Sequence, residues 1–248
     1  MLCRSCEKKD EAHPAFSYDK EVEMKLRYFS HSSFQITTDD GNTIIIDPFL
    51  DDNPTSPVKS EDVEADFIVL THAHGDHVGD AFKIAKRCDS LFICVNELAN
   101  YCSDKGFQAH NMHIGGSHRF DFGTLKFTIA HHGSMTPDGT YGGEPAGVIL
   151  GIEGKTIYHT GDTGLFYDMK LIGEMNAIDY MLVPIGDNFT MGITDAIKAV
   201  DLANPKIAIP MHYNTFPVIE ADPQLFRKQL ESLGRNVVVL DYGEEILV

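Results

Sequence analysis

No apolar run in the 248-residue chain approaches the roughly 20 residues that cross a bilayer, which excludes a membrane span of the helical kind. Basic residues are few: 20 Lys and Arg stand against 37 Asp and Glu, a formal charge of −17. Such a chain repels phosphate backbones and anionic lipid on average, so no nucleic-acid partner is expected. A locally positive pocket stays open, above all one that holds metal ions. Cysteine offers no disulfide framework, because Cys3, Cys6, Cys88, Cys94 and Cys102 form an odd, scattered set. Cys3 and Cys6 make a lone C-x-x-C without a second pair at finger spacing, and read as part of a floppy tail. Residues 1–23 lack the apolar h-region of a signal peptide, and Met24, where periodic structure begins, is a candidate alternative start. The expectation is a cytoplasmic chain. No linker rich in Gly, Pro or Ser and no short repeat divides it, so a tail (1–23) followed by a single domain (24–248) is expected.

What is present is a run of short strands followed by helix–strand alternation, twice. Met24–Phe29, Ser33–Thr38 and Thr43–Asp47 read as a meander turned by Asp39-Asp40-Gly41-Asn42. Residues 50–62 read as a loop, and Phe67–Thr71 as a strand buried on both faces. Helices are expected over Gly79–Cys88 and Glu97–Lys105, with a strand at Leu91–Val95 between them. Strands follow at Phe120–Asp121, Leu125–Ala130, Ala146–Ile152 and Thr156–His159, and Gly139–Gly147 reads as a mobile loop. Helices at Asp168–Met175, Asp195–Ala203 and Pro223–Leu233 then alternate with strands at Tyr180–Pro184, Ile207–Pro210 and Val237–Leu240. Asp222 before Pro223 caps the last helix and Gly234 closes it. The repeated pattern predicts an α/β fold with two sheets face to face and helices outside, a four-layer αββα sandwich.

Twelve histidines are many for this length, and their positions carry the chemistry. His72-Ala-His74-Gly-Asp76-His77 follows directly on the buried strand. Imidazole and carboxylate are the ligand types for zinc and similar ions, and four within six residues at a strand end can share one centre. Further ligands must come from other strand ends. Three stretches qualify: Ala130-His131-His132-Gly133-Ser134, His159-Thr160-Gly161-Asp162, and Pro210-Met211-His212-Tyr213. No G-x-S-x-G elbow accompanies Ser134, so a serine nucleophile is not expected.

That ordered set resembles the metallo-β-lactamase superfamily from about Met24 onward. The branch it resembles most is a group of metal-dependent hydrolases related to L-ascorbate-6-phosphate lactonase and the N-acyl-phosphatidylethanolamine-hydrolysing phospholipase D. The carrying stretches are Tyr28–Phe34, Ile46–Pro48, Thr71–Asp80, Gly115–Phe120, Tyr158–Phe166, Pro184–Gly192 and Ile209–Tyr213. The resemblance implies two metals. One takes His72, His74 and His132, chosen over His131, which then faces substrate or supports a ligand. The other takes Asp76, His77 and His212, and Asp162 bridges. It also implies a supporting role for Asp47, which is otherwise a turn residue before Pro48. His31 lies near the site floor, as a catalytic group or as a packed structural histidine. His118, Arg119 and the loop Asn188-Phe-Thr-Met191, with Asn188 and Thr190 foremost in it, are candidates for lining a small anionic pocket, or are strand-edge and loop residues without a ligand.

Two divalent ions roughly 3.5–4 Å apart hold one hydroxide between them and bring the pKa of its parent water towards about 7. Asp76 then orients the nucleophile. The expected activity is hydrolysis of an ester, lactone, amide or phosphodiester bond in a small substrate, an anionic one among the candidates, with zinc as the default metal and manganese, iron or nickel compatible with the same donors. Two rivals stay open: a di-iron redox protein, in which a glutamate usually replaces His74, and a metal-binding sensor. A homo-oligomer is also open.

Overall fold

The computed structural model describes residues 24–248; the 1–23 tail and its Cys3–Cys6 pair lie outside the described residues. Two mixed sheets face one another with helices on their outer sides. The first holds β1 (Lys25–Ser30), β2 (Ser33–Thr37), β3 (Thr43–Ile46), β4 (Phe67–Val69), β5 (Leu91–Val95), β6 (Ala109–Met112) and, at the far edge beside β1, β13 (Glu245–Leu247). The second holds β7 (Ser117–Phe120), β8 (Gly123–Ile129), β9 (Ala146–Ile152), β10 (Lys155–His159), β11 (Tyr180–Pro184) and β12 (Ile207–Met211), ordered β12-β11-β10-β9-β8-β7. The chain adopts the expected αββα sandwich.

Period-two alternation builds the layers. On β9, Val148 and Leu150 face the first sheet while Ile149 faces the outer helices; on β11, Leu182 faces inward while Met181 and Val183 face outward. The outward set packs on Met169 of α4 (Met169–Met175), on Ala196, Ala199, Val200 and Ala203 of α5 (Ile193–Ala203) and on Phe226 and Leu230 of α6 (Pro223–Ser232). Each fully buried Leu, Ile or Phe stabilises by about 1.5–3 kcal/mol. On the other side, α2 (Ala81–Cys88) and α3 (Asn96–Asp104) bring Ala81, Ile84, Leu98 and Cys102 to the first sheet. The Asp222 side chain accepts from the Gln224 amide at 2.9 Å, so α6 starts where its cap and Pro223 predict.

Strand directions decide where a site can form. β1 and β3 both run antiparallel to β2, and β4 is parallel to β3. In the second sheet β10, β11 and β12 are parallel, and β8 shares their direction because both β8 and β10 are antiparallel to β9. The C-terminal ends of β1, β3, β4, β8, β10 and β12 therefore fall at one edge of the sandwich. That edge is where α/β sheets place ligands.

Several expectations need correction. Gly79 does not start α2; with φ +41° it ends a separate single turn, α1 (Gly75–Val78), and a side chain there would overlap the Pro48 carbonyl oxygen. Phe120–Asp121 is not a strand by itself: the strand is Ser117–Phe120, mostly exposed. Val237–Leu240 makes a bridge from Val237 to Ala208 rather than a strand. β6 and β13 went unpredicted because they are short edge strands with polar residues. The stretch 139–147 does not stand free: Gly142 donates to the Ser134 carbonyl at 3.2 Å, a side chain at Gly142 would overlap Ala73, and Ala146 and Gly147 belong to β9.

Candidate metal centre

The first four ligand candidates leave β4 in order. His72 and His74 come from extended backbone, and α1 then presents Asp76 and His77. This single turn is held at both ends. The His77 and Val78 amides donate to the His74 carbonyl at 3.0 and 2.9 Å, and the Asp80 amide donates to the Pro48 carbonyl at 2.8 Å. The Asp80 carboxylate in turn accepts from the Leu50 and Asp51 amides, so the loop after β3 is fixed to the start of α2.

Two groups of donors result beside a third, Asp47, His72 and His77, that is wholly buried. The ligand atoms of His72, His74 and His132 lie within 4.8 Å of one another, as do those of His31, Asp76, His77 and His212. Asp162 stands between the groups. Its Oδ2 is 3.0 Å from His212 Nε2, 3.3 Å from His77 Nε2 and 3.7 Å from His132 Nε2. His132, not His131, faces the cluster, with its ring 5.0 Å from those of both His72 and His74. His131 is exposed and turned away onto Phe166, 5.0 Å between rings. Its backbone is clamped in that register, since its amide donates to Thr163 Oγ1 at 2.9 Å and its carbonyl accepts from the Gly164 amide at 3.1 Å.

Asp47 lies fully buried beneath the cluster and accepts three hydrogen bonds: from the Thr71 amide at 2.9 Å, the Thr71 hydroxyl at 2.6 Å and His77 Nδ1 at 2.8 Å. The Thr71 hydroxyl has one proton, and Asp47 receives it. Thr71 Oγ1 therefore accepts from His72 Nδ1, 3.0 Å away. The same bonds keep a proton on Nδ1 of both His72 and His77, so that Nε2 is the atom each ring turns towards the cluster. Asp47, His31 and His212 adopt φ of +47°, +55° and +54°. Left-handed backbone at non-glycine residues costs energy and persists where surrounding structure imposes it. Here the His212 amide donates to the His31 carbonyl at 2.7 Å, joining the β1–β2 turn to the end of β12.

Electrostatics separate the histidines. Burial lowers the pKa of His72, His74 and His132, and the neighbouring His77 or His74 charges add to the effect. Burial, reinforced by His212, lowers His31 to about 4. Burial also opposes charge on His77, but Asp162 and Asp47 outweigh it and raise the pKa well above the ordinary value. For Asp162, burial is outweighed by His212 and His77, and for Asp76 by His31 and His77; both carboxyls titrate below the usual range. Burial thus disfavours charge on His31, His72, His74 and His132, while their neighbours favour the ionised form of Asp76 and Asp162.

A cation fits this donor set. His77 Nε2 and Asp162 Oδ1 are buried without a hydrogen-bond partner. Leaving such a group unsatisfied costs about 1–3 kcal/mol, more if charged, and ligation of a metal satisfies it. His31 fills the floor between Phe49 and Phe216, its Nδ1 3.0 Å from Thr215 Oγ1 and its Nε2 3.3 Å from Asp76 Oδ2. His159 belongs to the frame instead: Nε2 donates to the Ser32 carbonyl at 3.0 Å and Nδ1 accepts from the Gly161 amide at 3.1 Å. Ser134 also supports the frame, accepting from the Ala73 amide at 3.2 Å.

Above the cluster is a cavity of about 210 Å³ lined by His74, Asp76, His132, Asp162, Phe189 and His212. Neither His118 nor Arg119 reaches it. On β7, His118 pairs with Leu125 and Arg119 with Thr124, well before the β8 end that leads to His132, and the His118 ring packs on His110 at 4.3 Å. Asn188 and Thr190 do not line it either, because the loop between Gly186 and Gly192 presents the intervening Phe189. Sequence reasoning missed the parts played by Thr71 and Thr215, and placed the loop of Phe189 at a pocket without singling out its aromatic ring. Thr71 alone had a signal, its position directly before the histidine motif.

Comparison with known proteins identifies the family. A sequence model described as the β-lactamase superfamily domain matches residues 42–213, most of the chain. The chain is 54% identical over 227 residues to a UPF0173 metal-dependent hydrolase of Anoxybacillus flavithermus, covering 90% of this chain and 99% of that one. The chain belongs to the UPF0173 metal-dependent hydrolases of the β-lactamase superfamily. A Bacillus cereus member of this family is 51% identical over 228 residues, with 90% and 99% of the two chains covered. Among solved structures, Igni18, a metallo hydrolase from the archaeon Ignicoccus hospitalis, matches with a TM-score of 0.84 and 41% identity, covering 91% of this chain and 98% of that one. As a UPF0173 metal-dependent hydrolase the chain is an enzyme, and its described residues contain no helix long and apolar enough to cross a membrane.

Proposed function

We propose that the chain is a dinuclear hydrolase of small molecules that cleaves an ester, lactone, amide or phosphodiester bond. One observation carries the reading: Asp162 Oδ2 lies within 3.7 Å of a nitrogen from each donor group, His132 on one side and His77 and His212 on the other. In this reading His72, His74 and His132 hold one ion, Asp76, His77 and His212 hold the other, and Asp162 serves both. Zinc suits a set of three imidazoles, while manganese, iron or nickel accept the same N/O donors. The bound pair supplies Lewis acidity and a water acidified to near neutral pH.

The chain's own groups do the rest. Asp47 and Thr71 fix the tautomers of His77 and His72. Asp76 is partly exposed to the cavity and ionised, so it can orient a nucleophile and take up a proton from it. His31 is a positioning residue: buried and neutral, it acts on Asp76 from beneath. A cavity of about 210 Å³, below the roughly 300 Å³ at which typical ligand pockets begin, suits a small reacting group.

The test removes the metal with a chelator, restores zinc or manganese in steps, and assays p-nitrophenyl esters and bis(p-nitrophenyl) phosphate. The reading expects turnover that vanishes with the metal and saturates at two equivalents per chain. Saturation at one equivalent, or no metal-dependent turnover of either class, overturns it.

A further inference from the structure

The cavity lining contains no lysine or arginine. Its polar members, His74, Asp76, His132, Asp162 and His212, all belong to the metal cluster, and the remaining wall is the Phe189 ring. Apart from the two cations of the metal-site reading, which engage the reacting group, a charged group on the substrate away from the bond being cleaved would find no counter-ion in this lining and would meet an aromatic face. Burying a charge without a partner is strongly unfavourable.

The loop that presents Phe189 is built to hold it there. Gly186 and Gly192 bridge at its base, and Asp187 and Asn188 take successive left-handed conformations with φ +61° and +50°. The Phe189 and Thr190 amides both donate back to the Asp187 carbonyl, and the Asp187 amide donates to the Met191 carbonyl at 3.1 Å. Met191 is anchored in the core, 1% exposed, and its amide donates to the Thr163 carbonyl at 3.1 Å, next to Asp162. Phe189 itself is 55% exposed although it is large and apolar. A tight turn tied to the metal-bridging strand end thus holds out a side chain that the fold has no need to expose.

We propose that Phe189 determines specificity by supporting a hydrocarbon flank, alkyl or aryl, of an uncharged acyl substrate such as an ester, lactone or amide. This rests on the metal-site reading above and narrows it: the part of the substrate beyond the reacting group is apolar, not anionic. A phosphodiester with a charged flank is the disfavoured class.

The test uses product-like acids, whose carboxylate mimics the cleaved end. Calorimetric titration of the zinc-loaded protein with butanoate, hexanoate and adipate compares two alkyl tails with a tail of hexanoate length that ends in a second charge. Each buried methylene strengthens binding up to about fourfold, so hexanoate should bind about 4- to 15-fold tighter than butanoate. Adipate should bind no tighter than butanoate. F189A should lose most of the chain-length preference, and F189L, which keeps a hydrocarbon side chain, should retain much of it. Equal affinities in the native protein, tighter binding of adipate than of hexanoate, preference unchanged in F189A, or no saturable binding of hexanoate would each overturn the proposal. Hydrolysis of p-nitrophenyl butanoate and hexanoate is measured in parallel. Graded binding without metal-dependent turnover refutes the hydrolytic reading alone; turnover without graded binding refutes only the role of Phe189.

Discussion

Replacing Asp47 by Asn isolates the support beneath the metal cluster. Asn keeps the shape of Asp and tolerates the left-handed backbone, here φ +47°, so the substitution adds little backbone strain. What changes is hydrogen bonding. Asp47 accepts from three donors, the Thr71 amide, the Thr71 hydroxyl and His77 Nδ1, at 2.6–2.9 Å. An Asn side chain turns one oxygen into an NH₂ group, which must face at least one of these donors whichever way it is flipped. Hydrogen bonds to a charged acceptor contribute about 1.5–3 kcal/mol each, so losing one and weakening the others should lower the stability of the metal-free protein by about 2–4 kcal/mol. Metal affinity should fall about 10–100-fold, because His77 loses the partner that sets its tautomer and the Thr71 hydroxyl is freed to turn from its place beside His72. Urea unfolding of the metal-free protein reads the first effect and competitive titration against a chromophoric chelator reads the second. A variant that binds metal within twofold of the native protein would refute the claim that Asp47 orients the ligands.

Other outcomes follow from the same geometry. Asp162→Ala removes the carboxylate shared by both donor groups and should reduce bound metal below one ion per chain by plasma mass spectrometry; two retained ions with full activity would contradict the bridging role. His132→Ala should lose one ion and fall to near-background activity, whereas His131→Ala should keep both and change rate or affinity by a smaller factor; the reverse stoichiometry would place the ligand one residue earlier. Gly79→Ala would drive a methyl into the Pro48 carbonyl beside Asp47, and should cost about 1–3 kcal/mol of stability together with weaker metal binding. Unchanged thermal unfolding in that variant would mean that α1 is not seated against the Asp47–Pro48 turn.

The buried strands were legible because their apolar runs end in chemistry. β4, β10 and β12 each close on a histidine or an aspartate nearby, and a polar group at the end of a buried strand stands out in a sequence. The edge strands were not legible in this way. β7 reads Ser-His-Arg-Phe, mostly exposed, and carries no apolar period, so His118 and Arg119 looked free to line a pocket until the pairing with β8 placed them away from it. The His131–His132 doublet shows a subtler limit. Strand alternation says that adjacent side chains diverge, but which one turns inward is set by Thr163 and Gly164, more than thirty residues later, which fix the backbone of His131. The loop Asn188–Met191 was legible as a pocket wall, but not which of its residues forms it: the polar Asn188 and Thr190 stood out for an anionic ligand, and only the bridge between Gly186 and Gly192 shows that Phe189 projects over the cluster.

The central claim is that one edge of the sandwich binds two ions on either side of Asp162. Anomalous diffraction from zinc-loaded crystals, recorded above and below the zinc absorption edge, tests it most directly. The account predicts two anomalous peaks roughly 3.5–4 Å apart, one among His72, His74 and His132 and the other among Asp76, His77 and His212, with the Asp162 carboxylate touching both. A single peak, or peaks away from Asp162, would contradict it.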